Sequence, residues 1–147
     1  MRTAASEEER ARLWEGRKGG IGAIGAISPN FYILDGVVPR TKLPEVMRQV
    51  LRLSSDAGFT CANIFHAGDG NLHPLVLYDP RIEGQEKLAE EVSGRILELC
   101  VEMGGCLTGE HGVGVLKSEY LAKEVGPTSV RIQRELRPVF DPQGILN

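Results

Sequence analysis

The sequence has no apolar run near the roughly 18 residues that a membrane-spanning helix needs. Its first ten residues, ending Glu7-Glu-Glu-Arg10, carry charge where a secretory signal would carry an apolar core. Basic excess is also missing: 17 Lys and Arg stand against 20 Asp and Glu, a formal net charge of -3, which argues against a nucleic-acid partner held through phosphates. Cysteine is scarce. Cys61, Cys100 and Cys106 are odd in number and at no metal-like spacing, so they read as reduced, mostly buried thiols of a cytoplasmic protein. There is no internal repeat or low-complexity tract. Histidine is the scarcity that matters. There are three, His66, His73 and His111, and all lie in two glycine-rich runs.

What is present is one domain's worth of chain: 147 residues, 41% apolar and 25% charged. Residues 3–18 read as a helix with a capping box from Ser6 to Glu9. The run Gly19-Gly-Ile-Gly-Ala-Ile-Gly-Ala-Ile27 then reads as a flexible or extended linker. Its Gly20-x-Gly22-x-x-Gly25 matches a dinucleotide fingerprint in letters only, because a charged helix precedes it and Ser28-Pro29-Asn30 resists the helix that must follow. Residues 1–27 are therefore assigned to a helix and linker, and 28–147 to the domain proper. In the latter, strands are expected over 31–38, 59–65 and 72–78, and helices over 43–57 and 85–103. A short fourth strand is expected at 106–108, then two helices, 115–125 and 128–139, parted by Gly126-Pro127. The order β-α-β-β-α-β predicts an α+β fold: a ferredoxin-like antiparallel sheet with two helices on one face, plus the N-terminal and C-terminal helices.

The first glycine-rich run is His66-Ala-Gly-Asp-Gly-Asn-Leu-His73. Asp69-Gly70 between strands is a two-residue type I′ turn signal, which would set His66 directly opposite His73. Two imidazoles so placed can converge on one metal ion. The second run holds Gly109-Glu-His-Gly112. Neighbours in extended chain point opposite ways, so one of Glu110 and His111 can face the metal and the other a substrate. Two histidines and a carboxylate with open positions suit a catalytic divalent ion: zinc, manganese, cobalt or ferrous iron, with zinc or manganese favoured.

Those two runs, with Phe140-Asp-Pro-Gln-Gly-Ile-Leu-Asn147, Leu13-Trp14-x-x-Arg17-Lys18 and Asp35-Gly-x-x-Pro39, resemble the C-terminal cap or substrate domain of FAD-linked 2-hydroxy-acid oxidoreductases. That group includes the glycolate oxidase flavoprotein subunit, which Arg17-Lys18, Ile27-Ser-Pro29 and His66 to Pro74 resemble most, D-lactate dehydrogenase and D-2-hydroxyglutarate dehydrogenase. The resemblance implies that His66, His73 and Glu110 bind a divalent metal beside the flavin. It implies that His111 is the base, that Arg17 grips the substrate carboxylate, and that Asn147 lies near the flavin. It implies FAD as cofactor, a small 2-hydroxy acid as substrate, and an FAD-binding domain or further oxidase subunits as partners. Such subunits could bring an otherwise cytoplasmic chain to a membrane. Some relatives carry a lysine where this chain has Ile33. No FAD-binding domain lies within the 147 residues, so the chain is expected to be a fragment, inactive alone. A non-catalytic metal-binding or subunit-interaction module is the rival expectation, and a metal-dependent hydrolase with His111 as base a more distant one.

Overall fold

The computed structural model describes residues 3–146. Helix α1 spans Glu7–Ile24. The Ser6 hydroxyl accepts from the Glu9 N–H at 3.2 Å and the Glu9 carboxylate accepts from the Ala5 N–H at 2.8 Å, so the capping signal is realised almost as read. The end of the helix corrects the sequence reading. Residues 19–24, expected as linker, continue α1. Tertiary packing overrides glycine's poor helix propensity here. Ile24 is buried, and a Cβ on Gly20 would sit 3.0 Å from the Ile64 Cδ1, so a bare backbone lets the helix press on the sheet. The three fingerprint glycines lie inside or at the end of this helix, a place that cannot cradle a pyrophosphate.

The strands are β1 (Asn30–Ile33), β2 (Gly36–Val37), β3 (Cys61–Asn63), β4 (Asn71–Leu72) and β5 (Pro74–Tyr78). β1 and β3 flank β5, both antiparallel, and β2 pairs with β4. The pairs Asn30↔Tyr78 to Ile33↔Leu75 and Gly36↔Leu72 to Val37↔Asn71 keep one register, so β1–β2 and β4–β5 are two long strands, each interrupted once. The interruption falls where Leu34 and Asp35 oppose Pro74 and His73. Leu34 donates to the Pro74 carbonyl at 3.0 Å, and proline has no N–H to return. A single bridge, Val37↔Cys106, stands for the fourth strand. Counting continuous strands, the order across the sheet is fourth, first, third, second, which realises the expected βαββαβ arrangement in an α+β fold.

Helices α2 (Leu43–Asp56) and α3 (Gln85–Glu102) cover one face, as their apolar spacing predicted. Val46, Val50, Val92, Ile96 and Leu99 pack there with Leu72, Val76 and Tyr78. On the opposite face Leu75 and Leu77 meet Ile24 of α1, so β5 is buried on both sides. Cys61, Cys100 and Cys106 are free thiols; burial pushes the Cys100 thiol up to about 12, which makes it inert. The C-terminal helix α4 (Leu121–Phe140) kinks at Gly126 (φ 78°), where Pro127 disfavours helical backbone in the residue before it. Residues 114–120 form turns rather than the start of the helix expected from 115. No helix among the described residues is long and apolar enough to cross a membrane.

Ile24 is the buried apolar anchor of α1, so Ile24→Ala should cost about 2 kcal/mol. In urea denaturation with hydrogen exchange, α1 amides should lose protection first; uniform loss across α1, α2 and α3 would contradict this anchoring.

Candidate metal and substrate site

The hairpin after β3 is longer than the sequence suggested. His66 pairs with Asn71, not with His73, because Ala67 to Gly70 form a four-residue turn closed by Asp69 N–H to the His66 carbonyl at 3.2 Å. Gly70 takes a positive φ of 78° and its missing side chain lets Val38 donate to its carbonyl at 3.0 Å. The two-residue turn was a local signal, and this contact outside the hairpin overrides it. A slip of two residues preserves the sheet face. The histidines are diagonal neighbours rather than opposed, and their ring centroids lie 5.4 Å apart, edge to face. His73 is buried and His66 is exposed.

The register places Asp35 opposite His73, with the Asp35 Oδ1 3.5 Å from the His73 Nε2. This carboxylate is fully buried and collects five donors. Its Oδ2 accepts from the Thr108 hydroxyl at 2.6 Å, from the N–H groups of Gly109 at 3.0 Å and His111 at 2.8 Å, and from the Lys117 ammonium at 3.3 Å; Oδ1 accepts from the Glu110 N–H at 3.1 Å. Burial alone would raise the Asp35 pKa. The hydrogen bonds from Thr108, His111 and Glu110, with the Lys117 charge, outweigh it and hold the carboxyl well below the usual range.

With the loop so pinned, the Glu110 side chain reaches the hairpin. Its Oε1 lies 3.0 Å from the His73 Nε2, 3.7 Å from that of His66 and 3.8 Å from that of His111. The His111 ring stacks on His73 at 5.1 Å between centroids. Although Glu110 is near, the His73 Nε2 is buried without a hydrogen-bond partner, since the carboxylate lies off the direction in which that nitrogen bonds. Burial lowers the His73 pKa, against the pull of Glu110, which favours the neutral ring that a metal ligand needs.

Asp35, His73, Glu110 and His111 offer ligand atoms all within 4.8 Å of one another. Asp35 is the poorest of these as a ligand. A carboxylate has about four lone-pair positions, and five donors already crowd this one. His66 lies outside that group of four, yet its Nε2 faces the same Glu110 oxygen from the open side. The geometry therefore allows the ligand set His66, His73 and Glu110, with His111 beside it.

A cleft of about 510 Å³ opens between α1 and the hairpin, lined by Arg10, Leu13, Trp14, Arg17, Phe65 and His66. Arg17 thus shares a cavity with a candidate ligand. Asn147 lies outside the described residues.

The family described as FAD linked oxidases, C-terminal domain, matches residues 1–147. The chain belongs to this family. Glycolate oxidase subunit GlcD of Escherichia coli K12 is 45% identical over all 147 residues, which cover 30% of that protein. GlcD of Bacillus subtilis is 33% identical over the same length, 31% of that protein. A mitochondrial D-lactate dehydrogenase [cytochrome] of Arabidopsis thaliana is 34% identical over 98% of this chain and 26% of its own length. The chain spans about a third or less of the curated relatives it matches.

Sequence reasoning about this FAD-linked oxidase domain overlooked Asp35 and Lys117 as parts of the site. The signal for Asp35 was legible: one acidic residue inside Phe31-Tyr-Ile-Leu-Asp-Gly-Val-Val38, against strand preference, needs a buried reason. Lys117 gave none, because the turns that carry it were read as helix.

An ionised Asp35 favours the folded chain, because the carboxyl is harder to protonate there than when unfolded. That contribution is complete above the free carboxylate range, about pH 4, and is lost as pH falls below it toward the folded value. In thermal denaturation of metal-free protein, the advantage of wild type over Asp35→Asn should be largest near neutrality and shrink toward pH 3. A gap constant over that range would contradict the assignment.

Proposed function

We propose that this domain is the substrate- and metal-binding part of a flavin-dependent oxidoreductase that converts a 2-hydroxy acid of glycolate or D-lactate type to the 2-oxo acid. The observation that carries the reading is the convergence of three imidazole Nε2 atoms on one Glu110 oxygen, with that of His73 buried and unpartnered. Buried polar atoms without partners are rare and costly, and a cation between these donors would satisfy this one. His66, His73 and Glu110 would hold a divalent ion, for which zinc and manganese both suit mixed nitrogen and oxygen donors. Such an ion, when bound, supplies Lewis-acid polarisation that lowers the pKa of the substrate hydroxyl.

The chain's own residues would do the rest. Arg17, in the cleft beside His66, would bind the substrate carboxylate with its planar fork of donors. His111 Nε2, 3.8 Å from the Glu110 oxygen and less buried than His73, would take the hydroxyl proton as substrate is oxidised. Trp14, Leu13 and Phe65 give the cleft apolar walls that limit water. FAD, implied by family membership, supplies the hydride acceptor. Gly20, Gly22 and Gly25 lie in or at the end of α1 and do not form a pyrophosphate loop; FAD would be held mainly by another part of the oxidase, with Asn147 as this chain's contact. Partner subunits would complete the enzyme and could bring it to a membrane surface.

Titration of the purified chain with zinc or manganese should give one ion per chain, and His66→Ala or His73→Ala should abolish uptake while leaving the circular dichroism intact. In an oxidase carrying this domain with its flavin part, assayed on glycolate and D-lactate with a dye acceptor, His111→Gln should lower kcat by about 10²–10⁴. Arg17→Met should act mainly on KM. Absence of metal uptake, or unchanged turnover in His111→Gln, would overturn the reading.

A further inference from the structure

Resting on the metal site just proposed, we propose that Asp35 is a positioning residue: it fixes residues 108–111 so that Glu110 and His111 stand against the hairpin histidines. Asp35 itself need touch neither metal nor substrate. Its place is set by the sheet, opposite His73 in the continuous register of the first and third strands. The chain entering the loop is anchored by buried Leu107, whose N–H donates to the Glu124 carboxylate at 2.8 Å, and the Gly109 N–H also reaches the Asp35 backbone carbonyl at 2.9 Å. Gly109 and Gly112 flank Glu110 and His111, and Gly112 has a positive φ of 81°. Such a segment is free to take several conformations unless something ties its backbone.

Asp35 ties it at four consecutive residues, through the Thr108 hydroxyl and the N–H groups of Gly109, Glu110 and His111. Consecutive N–H groups turned onto one anion form a backbone nest. With the N–H groups facing inward, the Glu110 and His111 side chains are left to face the histidines. Close packing sets the same constraint from the other side: a Cβ on Gly109 would lie 2.8 Å from both the Asn71 Nδ2 and the Val37 Cγ2. Lys117 closes the remaining side of the carboxylate and balances its charge. A neutral amide has one acceptor oxygen and cannot replace an ionised carboxylate among three N–H groups, a hydroxyl and an ammonium. The loop is thus ordered before any ligand arrives, and a ligand does not bear the cost of ordering it.

The test uses this chain and two variants, Asp35→Asn and Thr108→Val, with zinc as the probe. In metal-free protein, hydrogen exchange should show the Glu110 and His111 amides protected in wild type and unprotected in Asp35→Asn, while Gly109, whose N–H also donates to the Asp35 backbone carbonyl at 2.9 Å, and the α2 and α3 amides keep their protection. Zinc affinity by chelator competition should fall about 10–100-fold, the usual effect of removing a group that orients a ligand. Thr108→Val, which leaves the charge pair whole, should show a smaller loss of both kinds. Cobalt(II) in place of zinc should give a visible spectrum with Asp35→Asn that differs from wild type, which a purely structural role would not produce. A folded Asp35→Asn that binds zinc within about twofold of wild type and keeps the Glu110 and His111 amides protected would overturn the proposal. If Asp35→Asn fails to fold, Thr108→Val decides: unchanged affinity and exchange overturn it. If wild type takes up no zinc, the metal reading fails, and the exchange data still decide whether Asp35 holds the loop.

Discussion

A buried carboxylate with five donors is the constraint on which the rest of this domain depends. Asp35 sits where two antiparallel strands lose their ladder for one step, between the Leu34 bond to Pro74 and the pairing of Gly36 with Leu72. Burying an anion is costly unless it is fully hydrogen-bonded, and removing one partner of a buried pair costs about 3–5 kcal/mol. Here the compensation comes from residues more than 70 positions later in the chain. The penalty of leaving Asp35 unsatisfied therefore becomes a force that closes the loop at 108–111 onto the sheet.

That closure joins two kinds of support. His73 is buried next to β5, a strand covered on both faces, while His66 is exposed and joins the sheet through its bridge to Asn71. Glu110 and His111 stand on a glycine-flanked loop whose position is set electrostatically. α1 adds a third support: its glycines bring it onto the sheet, and its Arg17, Trp14 and Leu13 form the wall of a cleft that ends at His66. A hairpin pair, a pinned loop and a docked helix thus meet around His66 and Glu110.

Much of this was legible in the sequence where the signal is local or periodic. The α+β order followed from alternation in the strands and from three- and four-residue spacing in α2 and α3. The two histidine runs announced themselves because histidine occurs nowhere else. What escaped was set by contacts distant in sequence. The glycine run at 19–24 is helical because Ile64 and Leu75 lie beneath it. The turn at 67–70 lengthened because Val38 bonds to Gly70. That the histidines still share a face is a consequence of the period of two, which forgave a register error of two. The role of Asp35 needed the distant Thr108–His111 segment to be visible, although its presence in an apolar strand was already a reason to ask.

Two hairpin histidines and Glu110 are proposed to form one cation site, with His111 beside it rather than in it. X-ray absorption at the zinc edge of the chain loaded with one equivalent of zinc tests this most directly. Such a site gives nitrogen and oxygen neighbours at about 2.0–2.1 Å, outer-shell scattering from two imidazoles, no sulfur, and a spectrum unchanged in His111→Gln. Sulfur neighbours at about 2.3 Å, or loss of an imidazole in His111→Gln, would contradict it.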